Sequence, residues 1–139
     1  METIQKEILL KPKSRGFHLI TNEIIKKLPE IKSIEAGIAT LNILHTSASI
    51  SLSESADPEV RTDLEYFFNK IVPDGTTYFE HTYEGKDDMP AHVKSIICGT
   101  SITLPITNGR FNLGTWQGIY LGEHRDRGGR RRLVITIMG

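Results

Sequence analysis

Between Glu80 and Lys94 the chain reads EHTYEGKDDMPAHVK, placing two histidines, His81 and His92, and four carboxylates within fifteen residues. A neutral imidazole is the commonest protein ligand for a metal ion, and three protein donors with an open fourth position make the usual catalytic zinc site. His45, at the end of the run SIEAGIATLNILH, is the third histidine placed to join them. Spacing alone does not decide it, because His81 and His92 are eleven residues apart and match none of the short zinc-binding patterns. Capping, ion pairing or surface exposure explains such histidines as well. Asp87 and Asp88 divide in the same way. A carboxylate at a helix N-terminus is worth about 0.3–1 kcal/mol through the helix dipole, which is a sufficient role for both. Their chemical role would be to orient a ligating imidazole or to offer oxygen to magnesium.

Two further stretches carry reactive groups. HTSASISLSESADPEV sets His45 beside Thr46, Ser47 and Ser49, a base next to hydroxyls. Neighbours on a strand point to opposite faces, so a serine nucleophile is the lesser reading. Hydroxyls such as that of Ser47, with the backbone N–H groups around them, are better suited to an anion, and Glu54 is a spare general base or ligand. EHRDRGGRRR gathers five arginines, at 125, 127, 130, 131 and 132. Such runs are usually solvated hairpin tips, but planar guanidiniums such as Arg125 and Arg130 also suit bidentate phosphate binding. With only Trp116 and Tyr120 nearby as aromatic platforms, a phosphorylated small molecule ranks above RNA or DNA. His18 is expected inside a helix in a structural or solvent-facing role, whereas His124 closes GTWQGIYLGEH at an element end.

The elements that must position these groups follow from pattern. The 139 residues, 38% of them hydrophobic, suit one domain spanning 1–139. Seventeen basic and seventeen acidic residues cancel, so the total charge argues for neither nucleic acid nor an anionic membrane. The lone Cys98 excludes an internal disulfide, and METIQKEILLKPKSRG has no apolar core of signal-peptide length. A cytoplasmic protein is the expectation.

TIQKEILLK predicts a first strand, and SRGFHLITNEIIKKLPEI a helix with Phe17, Ile20, Ile24 and Leu28 at helical spacing, ended by Pro29. SIEAGIATLNILH predicts a strand that delivers His45. DPEVRTDLEYFFNKIVP predicts a helix capped by Asp57, with Pro58 first and Leu64, Phe67, Phe68 and Ile71 on one face. A short helix is expected from about Pro90 to Cys98, capped by Asp87 or Asp88 and closed by Gly99 in a left-handed conformation. Three β-rich segments follow, separated by the turn signals NG and RGG and close enough to pair antiparallel. The sum is an α+β fold in which a twisted antiparallel sheet or sandwich carries two or three helices.

HTSASI, ADPEVRTD, DDMPAHVKSIICGTSITLPITNGR, LGTWQGIYLGEHRDRGG and the final VITIMG together resemble the YjbQ-like family, also called the secondary thiamine-phosphate synthase family, from about Ile4 to Gly139. The GTWQ block, Gly114 to Gln117, is its most specific part. The resemblance implies a compact α+β fold with a sandwich or barrel-like core, assembled as a homotrimer with clefts between subunits. It implies an activity joining an aminopyrimidine methyl diphosphate to a thiazole phosphate with release of pyrophosphate. It further implies that His45, His81 and His92 hold a divalent ion, zinc or magnesium, or an anion, and that Trp116, Gln117 and Glu123 line the same cleft. The expected catalytic side chains are then Glu54, Gln117 and Glu123, with Trp116, Arg125, Arg130 and Ser47 binding substrate. A non-catalytic regulator that binds a phosphometabolite or metal, and a metal-dependent phosphate-ester hydrolase, are the alternatives.

Overall fold

The computed structural model describes residues 2–139. In chain order the elements are β1 (Thr3–Leu9), β2 (Gly16–Leu19), α1 (Thr21–Lys26), a 3-10 turn (Pro29–Ser33), β3 (Ala36–Ile43), β4 (Ala48–Glu54), α2 (Pro58–Ile71), α3 (Asp88–Cys98), β5 (Ser101–Thr107), β6 (Arg110–Phe111), β7 (Gln117–Glu123) and β8 (Arg132–Met138). A five-stranded sheet runs β1-β8-β3-β5-β6 and a three-stranded one β2-β7-β4, with every pairing antiparallel. This is the expected α+β architecture of antiparallel sheets with three helices.

Period-two patterning builds the core. Ile8, Ala39, Leu41, Ile43, Leu104, Ile106, Leu133, Ile135 and Ile137 of the larger sheet meet Ala48, Ile50, Ile119 and Leu121 of the smaller in one apolar cluster. Each fully buried Leu or Ile there contributes about 1.5–3 kcal/mol of transfer free energy. The chain ends are paired, Glu2 donating to the Gly139 carbonyl at 2.7 Å and receiving its N–H at 3.0 Å. No helix among the described residues is long and apolar enough to cross a membrane.

Local signals set several elements as expected. Asp57 caps α2 by accepting from the Glu59 N–H at 2.9 Å, with Pro58 following. Asn108 and Gly109, both at positive φ (51° and 74°), make the tight β5–β6 turn that the NG pair predicts. The face of α2 is only half covered, however: Phe68 packs on Phe17 at 5.6 Å between ring centroids, while Phe67 and Ile71 stay more than half exposed.

Four expectations are corrected. Phe17 and His18 are not helical but lie in β2, paired with Gly122 and Leu121 of β7; the edge of β7 offers backbone partners that a helix there would forfeit. Only Ile20, Ile24 and Leu28 keep the helical spacing, all fully buried. The last two strands do not form a hairpin: β7 is already bonded to β2 and β4, and β8 to β1 and β3, so residues 124–131 cross between sheets. Helix α3 begins at Asp88, and Asp87 at its N-cap makes no capping bond because its carboxylate is held elsewhere. Gly99 has positive φ but an extended ψ (95°, 158°), which turns its carbonyl to accept the Ile50 N–H of β4 at 3.0 Å.

Candidate metal centre

Helix α3 lies on β4 through Ala91 and Ser95, the Ser95 hydroxyl donating to the Ala48 carbonyl at 2.8 Å. That docking aims the first turn of α3 outward at one edge. Asp88 and His92, four residues apart, share a face there. The segment between α2 and α3 brings His81 to the same point. Its Nε2 is 2.8 Å from Asp88 Oδ2, and His92 Nε2 is 3.1 Å from the same oxygen. The three donor atoms lie within 4.8 Å of one another. Asp88 is 4% exposed, whereas the His81 and His92 side chains are open to solvent by 50% and 27%.

Hydrogen-bond chemistry tests whether these residues fit an ion. His92 Nδ1 is 2.8 Å from the Thr46 carbonyl, which can only accept, so Nδ1 carries the proton. Nε2 therefore faces a carboxylate with a lone pair, an arrangement that requires either a second ring proton or a cation between them. A backbone carbonyl accepting from the ring nitrogen that does not coordinate is an arrangement that orients metal-bound histidines. Zinc ligands about 2.0–2.1 Å from the ion in tetrahedral array stand roughly 3.3 Å apart, against 2.8 and 3.1 Å for the two imidazole–carboxylate separations here and a largest separation within 4.8 Å. Asp88, His81 and His92 therefore fit a divalent ion.

Arg125 braces the assembly. Its Nε and Nη1 donate to Asp87 Oδ2 and Asp88 Oδ1, both at 2.8 Å, and its Nη2 to the Glu84 carbonyl at 2.8 Å. Burial pushes the Asp88 carboxyl up, but the hydrogen bond from His81 and the charges of His92 and Arg125 outweigh it and hold it below the usual range. Asp87 is lowered likewise, burial being overcome by the Asp126 N–H and by Arg125. The capping role expected of the two aspartates is thus replaced by ion pairing, and the guanidinium expected to grip phosphate is committed to them.

The remaining expected site residues do not converge here. His45 Nε2 accepts the Arg132 backbone N–H at 2.7 Å, and burial and the nearby charges of Arg131 and Arg132 lower its pKa. It touches the centre only through its neighbour Thr46. Glu123 is fully buried with both oxygens on Arg131, at 2.7 and 2.5 Å. Gly128 makes room for it, since a Cβ there would fall onto that carboxylate. The Ser47 carbonyl accepts from Arg131 at 3.1 Å. Arg130 makes one long bond, 3.5 Å, to the Leu10 carbonyl.

Glu54, Trp116 and Gln117 meet instead in a recess of about 380 Å³ at the opposite end of β7. Gln117 pairs with Glu54 and Glu123 with Ala48, so six residues of strand, about 20 Å, separate the two ends. The single cleft expected for Trp116, Gln117 and Glu123 is therefore not formed within one chain. Glu54 caps the turn into α2, accepting the Asp57 N–H at 2.9 Å, and Gln117 accepts from Gly114 at 3.0 Å.

Asp88, expected to cap the helix, to orient an imidazole or to offer oxygen to magnesium, stands in the position beside His81 and His92 that was expected of His45. Its signal was the i, i+4 spacing of Asp88 and His92, which puts both on one helical face. A second polar group was also missed: Ser49 Oγ stands 2.8 Å from His124 Nε2 behind α3, beside Cys98 and Lys94. His124 is 1% exposed, and burial, with the charges of Lys94, Arg131 and Arg15, lowers its pKa to about 3.

Comparison with known proteins places the chain. A family model described as "UPF0047 protein YjbQ-like" matches residues 6–139. A UPF0047 protein YjbQ of Salmonella typhimurium is 54% identical over 135 residues, covering 97% of each chain. A UPF0047 protein of Synechocystis is 39% identical over 97% of this chain and 91% of its own. The crystal structure of an uncharacterized yjbq/upf0047 family protein from Clostridium acetobutylicum superposes with a TM-score of 0.80 at 36% identity, over 96% and 99% of the two chains. A YbjQ-like protein of unknown function from Sulfolobus solfataricus, 19% identical, shares the fold with a TM-score of 0.86 over 99% and 98%. By sequence and by architecture, the chain belongs to the YjbQ-like UPF0047 family.

Proposed function

We propose that this chain is a metal-dependent enzyme acting on phosphorylated small molecules, with a divalent ion held by His81, Asp88 and His92. The supporting observation is the convergence of two imidazole Nε2 atoms and one carboxylate oxygen, with His92 Nδ1 held by the Thr46 carbonyl. Two nitrogen donors and one oxygen favour zinc over magnesium, which prefers oxygen alone. An ion there supplies charge neutralisation to phosphate oxygens. The protein's own groups orient: Thr46 sets the His92 tautomer, and Arg125 holds the second oxygen of Asp88 so that the first points inward.

The reaction we infer is thiamine-phosphate synthesis, joining an aminopyrimidine methyl diphosphate to a thiazole phosphate with loss of pyrophosphate, as the family resemblance implies. Its barrier lies mainly in stabilising the leaving diphosphate, the task such a centre suits. Assembly as a homotrimer belongs to the same reading. It is supported by Phe67, Ile71, Ile96 and Ile97, apolar side chains that α2 and α3 leave exposed. In that assembly Glu54, Trp116 and Gln117 serve the centre only from a neighbouring subunit. Three protein donors with open positions also favour a second reading, metal-dependent phosphate-ester hydrolysis.

Elemental analysis of tag-free protein purified without added metal, followed by synthase assays with and without chelator, tests this. The expected result is about one zinc per chain and turnover lost in chelator and in His92→Ala. Metal content and turnover unchanged in folded His92→Ala would overturn it, and ester hydrolysis without synthase product would select the second reading.

A further inference from the structure

Beside the histidines lies a recess of about 320 Å³ formed by residues 75–89, and His81 lines both it and the metal centre. We propose that this recess binds the single-ring monophosphate ester among the substrates, its ring against Phe79 and Met89 and its phosphate between Lys86 and the His81 side. The inference rests on the metal-centre reading and adds the substrate's place and class.

Size is the first argument. Small-molecule sites run from about 300 to 1,000 Å³, so this one suits one ring with a phosphate rather than two joined rings. Charge is the second. The lining contains Lys86 and His81 but no carboxylate. Lys6, Lys13 and Lys27 are each paired with a glutamate, whereas Lys86 has no ion pair among the described residues. Of the acids nearest in sequence, Asp87 and Asp88 are taken up by Arg125 and the histidines, and Glu84 does not line the recess. An unneutralised ammonium at a pocket wall selects an anion.

Hydroxyls and shape supply the third argument. Thr76 donates its hydroxyl proton to the Pro73 carbonyl at 3.0 Å, but Thr77 and Thr82 on the same walls have no side-chain partner among the described residues and remain able to donate. The two arms are drawn together by Gly75, whose N–H donates to the Lys86 carbonyl at 3.4 Å. Phe79 and Met89, each only partly covered, leave an apolar wall free. The larger apolar cavity under α1, about 490 Å³ and lined by Ile25, Leu28, Phe111 and Leu113, shares no residue with the histidine cluster.

The test is calorimetric titration with phenyl phosphate and, separately, inorganic phosphate, in zinc and again in EDTA. Wild type in zinc is expected to bind phenyl phosphate about tenfold more tightly than inorganic phosphate, through ring burial. Lys86→Gln is expected to weaken both about tenfold while leaving the zinc Kd unchanged, and Phe79→Ala to abolish the preference for the ring. Thr77→Val, at an exposed position, repeats the phosphate test if Phe79→Ala unfolds. Lys86-dependent binding that persists in EDTA, in a protein that takes up no zinc, keeps the recess and overturns the metal centre. Binding indifferent to Lys86 and Phe79 in both media, or no binding in either, overturns the recess.

Discussion

Helix α3 separates two polar clusters built from the same kinds of residue, and only one is open. On its outer edge His81, Asp88 and His92 bring their ring nitrogens and carboxylate oxygen together at a point reachable from solvent. Behind it Ser49, His124 and Lys94 are 0%, 1% and 1% exposed, and Lys94 Nζ donates to the neutral Asn69 Oδ1 at 2.7 Å. A Ser–His pair at 2.8 Å looks like catalytic machinery, yet with no access from solvent it works as packing that is hydrogen-bonded. Convergence plus access marks the candidate site, and distance alone does not.

That contrast can be broken from either side, and the closed side has the largest effect to lose. Arg131→Ala strands the fully buried Glu123 carboxylate and should cost about 3–5 kcal/mol in urea denaturation, with zinc binding retained once folded. A loss under about 1 kcal/mol would show that water reaches the pair.

Acid titration comes next. Folding lowers the His124 pKa from its ordinary 6.5 to about 3, so the unfolded chain takes up that proton first. The stability it contributes is fully present above pH 6.5 and is lost as pH falls toward 3, at up to about 1.4 kcal/mol per pH unit. Denaturant midpoints across that window should show this slope in wild type and a flatter one in His124→Asn. Equal slopes would mean that His124 is not buried as described.

The open cluster should respond in affinity rather than stability. His92→Ala is expected to weaken zinc binding about a hundredfold, by competition with a chromogenic chelator, while changing stability by less than about 1 kcal/mol because the side chain is partly exposed. Arg125→Ala should weaken zinc roughly tenfold by freeing Asp88 to rotate, the smallest change of the series. If Arg125→Ala binds zinc as wild type does, the brace is dispensable.

How much of this was legible in the sequence differs by element. Asp57 followed by Pro58 specified the start of α2, and NG the β5–β6 turn, because each depends on the backbone of a few adjacent residues. Phe17 misled because its spacing to Ile20 and Ile24 fits a helix, while the β7 edge that captured it lies about a hundred residues away. The surroundings of His45 were out of reach for a related reason. Residue type marked it as a ligand, but the Arg132 N–H that occupies its Nε2 is distant in sequence.

The sequence by itself determined the class of the fold, the family, the ends of the best-capped elements and the nearness of His81 and His92 to a helix start, all carried by local pattern or contiguous motif. Only the tertiary structure decided that Asp88 lies against both His81 and His92, that Arg125 pairs with the two aspartates and Glu123 with Arg131, and that Trp116 and Gln117 stand about 20 Å from Glu123's end of β7. The physical reason is that a site is a set of atoms within a few ångströms. Which atoms meet there is settled by how α3 docks on β4 and which strands flank β7, pairings that join residues far apart along the chain.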